Sequence, residues 1–268
     1  MLKRVENDKE VERIVDYIGN SYKTVPYLYV NILKYGKGTH SIFSYMDLND
    51  KDGAIEGVYM LYYDCIHFFT RDADRYPIDR IIKFINQTDH KVIIVQGDVG
   101  EKIESEMGDY FSERNHVLDM DNVKQDSGKY LSEMAVSEKD IDEIVDLLIA
   151  DPEYENVYEK KVLNEQMHER FNDGFSRFFV IKSDGKVVAA CSTYGEAPNM
   201  AIISGVIVHP NHRRKGFASD VEYYACHVLS KENKSCIGFV NYNNTKSLSL
   251  HKKIGAISIA TLAKFVRK

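Results

Sequence analysis

The pattern of apolar and polar positions predicts a first series of helices and strands in the N-terminal half of the chain. Apolar residues three or four positions apart, such as Val11, Ile14 and Ile18, predict a helix in DKEVERIVDYIGN, and VPYLYVNILKYG predicts a second helix. The period then changes, and three β-rich segments predict a meander of strands: SIFSYMDL, AIEGVYMLYY and CIHFFT. A helix, a strand, a helix and a strand are predicted next: PIDRIIKFINQ, KVIIVQ, GEKIESEMGDYF and HVLDM.

The same order of elements returns after the polar stretch from Asp121 to Lys129, which we interpret as a linker. YLSEMAV predicts a strand, and SEKDIDEIVDLLIA predicts a helix capped by Ser137. The elements expected after it are a helix, a three-strand meander, and then helix, strand, helix and strand: YEKKVLNEQMHERF; RFFVIKS, VVAACSTYGEA and MAIISGVIVHP; ASDVEYYACHVLSKEN, CIGFV, TKSLSLHKKIG and AISIATLAKFV. We therefore predict a mixed α/β fold with two domains, residues 1–128 and 129–268, which arose by duplication or only share an order of elements.

Length and composition agree with two ordinary globular domains. The 268 residues are 44% hydrophobic and 28% charged, and no stretch approaches the roughly 18 to 20 apolar residues of a membrane helix. The N-terminal segment lacks the apolar core of a secretory signal and is too acidic for a mitochondrial presequence. We expect a cytoplasmic protein that does not interact with membranes.

Charge and cysteine usage narrow the class of function. The net charge of −6 argues against broad nucleic-acid binding, because phosphate affinity needs clustered excess lysine and arginine. The four cysteines have no CxxC spacing and are expected to be reduced packing residues rather than metal ligands or disulfides: Cys65, Cys191, Cys226 and Cys236. No metal site is predicted.

The segment from Val206 to Ser219 contains the clearest candidate site. The apolar strand residues Val206, Ile207 and Val208 lead into a basic cluster, a glycine and the start of a helix: Arg213, Arg214, Lys215, Gly216, Phe217, Ala218 and Ser219. Backbone N–H groups at a helix start attract anions, and glycine lets the main chain approach a bulky ligand. A pyrophosphate fits such a loop, although a solvated basic turn would have the same residues.

This loop and a second motif about thirty residues later resemble those of the GNAT acyltransferase superfamily. The family's pyrophosphate loop, Q/R-x-x-G-x-G/A, is matched by Arg213, Gly216 and Ala218. Its second signature, NxxA-xx-LY-xx-xGF, is matched in part by Asn244, Ser247, Leu250, Gly255 and Ala256. The resemblance implies a GNAT fold and binding of acyl-CoA, most often acetyl-CoA. The main chain from Arg214 to Ser219 would hold the pyrophosphate, and the strand at Val206–Val208 and Asn244 would flank the pantetheine arm.

The resemblance also implies direct attack of an acceptor amine on the thioester, with an acid that protonates the thiolate. His251 stands where the family has the tyrosine of its LY pair, so His251, Tyr242 or water is the candidate acid. Ser204 stands where some relatives carry a glutamate, which leaves Glu196 as a candidate base, or as a solvated charge at a strand end. Cys191 lies in an apolar run without an evident histidine partner, which disfavours a covalent acyl-enzyme.

The N-terminal half lacks a comparable loop. Its segment FTRDADRYPIDR contains Asp72, Asp74 and Asp79 and no glycine, so we expect it to bind no coenzyme. It resembles the degenerate partner domain of tandem GNAT proteins, including the glycine N-acyltransferase-like group. The resemblance implies an N-acetyltransferase acting on a primary amine of a small molecule, amino acid or peptide; the alternative is a CoA-binding regulatory or structural module. The acceptor pocket, expected around Tyr154–Phe171, carries no motif that identifies the acceptor, and the sequence does not indicate an oligomeric state.

Overall fold

A computed structural model describes residues 1–124, 129–151 and 159–268. By their internal contacts the residues form two units. The first unit contains Met1–Leu118, Phe239–Thr245 and Ser258–Lys268, and the second unit contains Asp119–Gly238 and Lys246–Ile257. The domain boundary expected between residues 128 and 129 borders a segment outside the described ranges and stays a prediction.

The first unit begins with two helices and a meander, as the sequence predicts. Helix α1 (Asp8–Ile18) is capped by the Asn7 side chain, which accepts the Glu10 N–H, and α2 begins at Pro26. The strands and helices that complete the N-terminal series are β1 (Leu2–Arg4), α2 (Pro26–Tyr35), β2 (Ile42–Leu48), β3 (Ile55–Tyr62), β4 (Cys65–Phe69), α3 (Ile78–Gln87), β5 (Val92–Gln96), α4 (Gly97–Ile103) and β6 (Tyr110–Asp119). The sequence did not predict the short strand β1.

The sheet of the first unit includes the last strand of the described chain, β12 (Ile257–Arg267). Its strand order is β1-β2-β3-β4-β5-β12-β6. β2, β3 and β4 are antiparallel, β4 and β5 are parallel across α3, and β12 is antiparallel to β5 from Leu262 to Val266. Phe68, Val95 and Phe265 belong to one core on the face that α3 and α4 cover. The C-terminal strand therefore completes the core of the N-terminal half.

Helix α4 differs from its prediction. The segment GEKIESEMGDYF was expected to be one helix, but α4 ends at Ile103, a 3₁₀ turn covers Glu104–Glu106, and β6 already begins at Tyr110. The helix starts earlier because Gly97 and Gly100 let its backbone contact β12 directly. A Cβ at Gly97 would lie 1.8 Å from Thr261 Oγ1, and one at Gly100 would lie 2.2 Å from Ala263 Cβ.

The second unit repeats this order of elements. Its elements are β7 (Glu133–Met134), α5 (Glu138–Ile149), α6 (Lys160–Asn172), β8 (Phe178–Ser183), β9 (Lys186–Ala197), β10 (Met200–Val208), α7 (Phe217–Lys231), β11 (Ser235–Asn241) and α8 (Thr245–Lys253). The strand order is β11-β10-β9-β8-β7, with β10 and β11 parallel across α7. Ser137 caps α5 as predicted, and Ile141, Val145 and Leu148 pack against the sheet. The segment expected to line the acceptor pocket, 154–171, falls partly outside the described residues, at 154–158.

The described residues include neither a membrane-length apolar helix nor a cluster of three or more histidine, cysteine or acidic side chains suited to a metal ion. All four cysteines are free thiols; Cys191, Cys226 and Cys236 are buried and Cys65 is partly buried.

Candidate functional site

Strand β10 is interrupted by a bulge at its C-terminal end. Gly205 has a φ of +61°, and between the pairs Ser204–Ser192 and Ile207–Ala190 the register with β9 shifts by one residue. A bulge bends its strand and increases the local twist. The parallel pairing with β11 runs from Met200–Ser235 only to Ile203–Gly238. No residue of β11 therefore pairs with the segment Val206–Val208, and the side of this backbone that faces away from β9 takes no part in the hydrogen bonding of the sheet.

The loop after β10 turns sharply into the start of α7. Arg213 is extended, with a φ of −64° and a ψ of 159°, whereas Arg214 and Gly216 have left-handed φ angles of +65° and +85°. α7 begins directly after Gly216, and no side chain caps its first turn. The free N–H groups of this first turn and the positive end of the helix dipole make the start of α7 a candidate anion site.

Gly216 combines this conformation with open space. A Cβ there would meet no heavy atom within 4 Å, so its left-handed φ rather than crowding favours glycine. A bound group can approach the main chain at this position.

The Arg213 side chain stabilises the loop through a hydrogen bond and an ion pair. Its Nε donates to the Val208 carbonyl at 3.0 Å, and its Nη2 lies 2.9 Å from the Asp151 carboxylate. The Arg214 and Lys215 side chains are exposed beside it. Arg213 thus anchors the loop to the end of β10, while the charged groups of Arg214 and Lys215 face solvent.

An open cleft of about 440 Å³ lies over this loop. Its lining comprises Lys129, Leu131, Lys215, Gly216, Phe217, Ser219, Asp220, Tyr223, Lys253 and Ile254. Asp220 is the one acidic residue among them. Its carboxylate accepts the N–H groups of Leu131 and Ser132, at 3.1 and 3.0 Å, and the Ser132 hydroxyl. These donors hold the carboxylate in place, and the three lysines of the lining, Lys129, Lys215 and Lys253, outnumber it, so the cleft is cationic.

His251, the first candidate acid, is buried in a pair with Glu222. It is 6% exposed; its Nδ1 lies 2.7 Å from the Ser247 carbonyl oxygen and its Nε2 lies 2.7 Å from Glu222 Oε1. Burial disfavours the charged imidazole, but the hydrogen bond and charge of Glu222 outweigh it and raise the pKa of His251 above its ordinary value. Both ring nitrogens are engaged by protein groups.

Glu222 was not identified from the sequence. It lies on α7, is completely buried, and has no other hydrogen-bond partner among the described residues. A signal was present, because Glu222 shares the buried stripe of the helix with Cys226 and Leu229. A carboxylate on such a stripe requires a partner.

Glu196, the candidate base, is held by cations. Arg177 binds it with two hydrogen bonds of 2.7 and 2.8 Å, and Lys234 Nζ lies 2.6 Å away. Burial favours its neutral form, but these two cations outweigh that effect and lower the pKa of Glu196. Glu196 pairs with Ala201, four residues before Gly205 and therefore about 13 Å from the bulge at the usual strand rise. The structure does not bring Glu196 to the bulge.

Tyr242 and Asn244 follow β11 and belong to the first unit, whereas Ser247 belongs to the second. Tyr242 is 39% exposed and stacks on His116 of β6, with ring centroids 4.1 Å apart. His116 Nδ1 also lies 3.1 Å from the Ser258 hydroxyl. No sequence motif pointed to His116, because only the pairing of distant strands places it beside Tyr242.

The corresponding strands of the first unit do not separate. β4 and β5 pair from Cys65–Val92 to Phe68–Val95, one residue before each strand ends. The Gln96 side chain accepts the Thr70 N–H at 2.9 Å, and Arg71 donates to the Asp16 and Tyr17 carbonyls. This connection is thus bonded to its own unit and differs from the glycine-containing loop after β10.

Comparisons with known proteins agree with this geometry. The sequence model of the acetyltransferase (GNAT) family matches residues 141–256. No curated protein matches the chain significantly by sequence. Among solved structures, a Drosophila protein is similar with a TM-score of 0.67 at 12% identity, over 100% of this chain and 98% of that one.

Two further structures are similar over both units. A GNAT-family acetyltransferase from Colwellia psychrerythraea has a TM-score of 0.63 at 12% identity and covers 100% of both chains. A tandem GNAT protein from the clavulanic acid biosynthesis pathway has a TM-score of 0.61 at 14% identity, over 99% of this chain and 98% of that one. At these identities the likeness shows the fold: a tandem GNAT fold in a mixed α/β chain.

Proposed function

We propose that this chain, which carries a GNAT-family domain at residues 141–256, is an N-acyltransferase that moves an acyl group from acyl-CoA to an amine. The family implies acyl-CoA as cosubstrate. The observation that carries the proposal is the combination of the bulge in β10 with the sharp turn at the left-handed residues Arg214 and Gly216 and the uncapped start of α7. These backbone features suit a linear thioester substrate that carries a pyrophosphate.

In the proposed reaction the amine nitrogen attacks the thioester carbonyl carbon and the C–S bond breaks. The nitrogen loses a proton and the thiolate gains one, so protons balance overall. Main-chain N–H groups of β10 beyond the bulge would stabilise the charge that develops on the carbonyl oxygen, and binding both reactants in one site supplies proximity.

We assign proton transfer to water rather than to His251 or Glu196, and the role of Tyr242 stays a prediction from the sequence. Both nitrogens of His251 are engaged, and Glu196 is held by two cations. His251 would then position α8 against α7.

The finer substrate assignment rests on the family resemblance. We propose acetyl-CoA as the donor and the primary amine of a small molecule, an amino acid or a peptide as the acceptor. Similarity of the N-terminal half to the glycine N-acyltransferase-like group remains a prediction.

Gly216→Glu tests the site, with Gly216→Ala as its matched control. Both variants carry the strain of a left-handed φ, which costs about 1 kcal/mol, but only glutamate places a carboxylate in the anion site. We expect calorimetric titration to show acetyl-CoA binding to the wild type, retained binding by Gly216→Ala, and loss of at least tenfold in affinity by Gly216→Glu. Equal affinities of the two variants would overturn the loop assignment.

Turnover is tested separately, by thiol release from acetyl-CoA in the presence of a library of amines. A second candidate function is a CoA-binding module with little or no turnover. It is favoured by the engagement of both His251 and Glu196 and by the lack of a carboxylate in β10. Thiol release that depends on an amine supports the enzyme, whereas tight CoA binding with no release for any amine supports the module.

A further inference from the structure

The face of β9 that α5 and α6 cover changes from apolar to polar at Ser192. Ala190 is buried in a core that α5 and α6 help to form. Ser192 and Tyr194, the next two residues with the same orientation, are only partly buried. Ser204, which pairs with Ser192 from β10, is partly buried as well. We call Ser192, Tyr194 and Ser204 the polar strip.

The polar strip begins beside the bulge in β10. A Cβ at Gly205 would lie 3.3 Å from the Ser192 hydroxyl oxygen. In the proposed reaction the acyl donor extends from the bulge along Val206–Val208 toward the loop, and the amine attacks at the bulge. The rest of the acceptor is therefore expected to extend in the opposite direction, over Ser192 and Tyr194.

The Arg170 guanidinium, at the end of α6, lies over the polar strip. Its central carbon is 4.6 Å from the centroid of the Tyr194 ring. Ser176 fixes this arrangement, because its N–H donates to the Arg170 carbonyl at 3.1 Å and its hydroxyl donates to the Tyr194 carbonyl at 3.0 Å. Gly195 allows the close approach, since a Cβ there would lie 2.6 Å from the Phe175 ring. The contact with the aromatic face holds the guanidinium in a defined orientation.

Arg170 is partly buried and forms no ion pair with an acidic side chain among the residues that the structure describes. Asp173, three residues further along the chain, accepts a backbone N–H at 2.8 Å. Glu196, two residues beyond Tyr194, is held by Arg177 and Lys234. A guanidinium in such surroundings attracts a carboxylate from a ligand, which its planar group binds through two parallel hydrogen bonds.

The distance from the bulge to Arg170 indicates the length of the acceptor. Tyr194 lies two residues beyond Ser192, which is about 7 Å at the usual rise of a strand. Two residues of an extended peptide also span about 7 Å. A dipeptide therefore matches an amine at the bulge and a carboxylate at Arg170. The amine and the carboxylate of a single α-amino acid are attached to the same carbon and lie too close together.

We propose that Arg170 binds the C-terminal carboxylate of a short peptide whose N-terminal amine is the acceptor. The inference rests on the proposed function, because it requires acyl transfer at the bulge in β10. It narrows the acceptor from any primary amine to a peptide of about two residues. Arg170 determines specificity by binding the acceptor and takes no part in making or breaking bonds.

Thiol release from acetyl-CoA by the full chain tests the proposal, with glycine, glycylglycine and triglycine and the C-terminal amide of each as acceptors. Each pair has the same length and amine and differs in the carboxylate charge. We expect the wild type to have at least tenfold higher kcat/KM for glycylglycine than for its amide, and a smaller preference with glycine.

The variants assign this preference to one side chain. Arg170→Gln should lower kcat/KM for glycylglycine about tenfold to hundredfold, mainly through a higher KM, and Arg170→Lys should restore part of it. The rate with glycylglycinamide should stay unchanged in both variants, which also shows that the site is folded. Lys186→Gln is the control for loss of a positive charge, because Lys186 is exposed at the opposite end of β9 and should change neither rate.

The outcomes separate this inference from the proposed function. Equal rates with acid and amide at all three lengths, or a preference that is largest for glycine, would overturn the peptide subsite and leave the proposed function standing. A preference that persists in Arg170→Gln, or that Lys186→Gln abolishes equally, would overturn the assignment to Arg170. If the wild type acylates none of the six but acylates another amine of the library, only this inference is wrong; if it acylates no amine, both proposals are wrong.

Discussion

The buried pair of Glu222 and His251 allows a prediction with a worked magnitude. The two side chains are 0% and 7% exposed, and their nearest nitrogen and oxygen are 2.7 Å apart. Glu222→Gln keeps the volume and an oxygen that accepts from Nε2–H, but it replaces a charged hydrogen bond by a neutral one. Charged hydrogen bonds contribute about 1.5–3 kcal/mol and neutral ones about 0.5–1.5, so we expect a loss of about 1–2 kcal/mol in the free energy of unfolding at pH 6.

The pH dependence of this loss has a definite sign. The pKa of His251 is raised in the folded chain, so its contribution is complete below the unfolded pKa near 6.5 and is lost as the pH rises through the folded pKa. The other titratable groups that interact with Glu222 are the Cys191 thiol of β9 and the Cys226 thiol of α7, and burial and neighbouring groups raise both pKa values well above the ordinary value. They stay neutral through this range. The difference between wild type and variant must therefore shrink above pH 6.5.

The assay is urea unfolding of the full chain, followed by circular dichroism between pH 6 and pH 9. Glu165→Gln is the control, because Glu165 is exposed and its pairing with Lys161 is 4.0 Å long. It should change the free energy of unfolding by no more than about 0.5 kcal/mol at any pH. A Glu222→Gln difference that is constant or grows with pH would refute the assignment of a charged pair.

Two further substitutions test other parts of the structure. Glu196→Gln should lower the midpoint temperature of unfolding, because Arg177 and Lys234 lose the carboxylate that they share. The substitution should leave the pH profile of kcat/KM unchanged, and an altered profile would show that Glu196 is the base after all. Gly97→Ala places a Cβ 1.8 Å from Thr261 Oγ1 and should cost about 2–3 kcal/mol in thermal unfolding. Gly53→Ala, with open space at its Cβ and a φ of +70°, should cost only about 1 kcal/mol; equal losses would contradict the close contact between α4 and β12.

Local signals explain which elements could be predicted. Helix α5 carries a serine cap, an acidic first turn and a buried stripe, and these interactions lie within one segment of the chain. The glycine and basic residues of the loop after β10 likewise indicate an anion site from their order alone. In each case the physical cause lies within about four residues.

The remaining features depend on partners distant in sequence. The insertion of β12 beside β5, the early start of α4 and the contact of His116 with Tyr242 follow from strand pairing over more than a hundred residues. Glu222 was overlooked because its partner lies on another helix, and the bulge at Gly205 becomes visible only as a register shift against β9. Such pairings are chosen by the assembled sheet, which no local pattern encodes.

The position of β12 also limits when the sheet of the first unit can be completed during synthesis of the chain. A nascent chain of 118 residues holds six strands of the first unit but lacks the strand that pairs with β5, and it leaves β5 as an unpaired edge. The ribosome must translate about 140 further residues, including the whole second unit, before that edge is covered. The sheet of the N-terminal half can therefore be completed only after nearly the whole chain has been translated, and until then β5 stays an exposed edge.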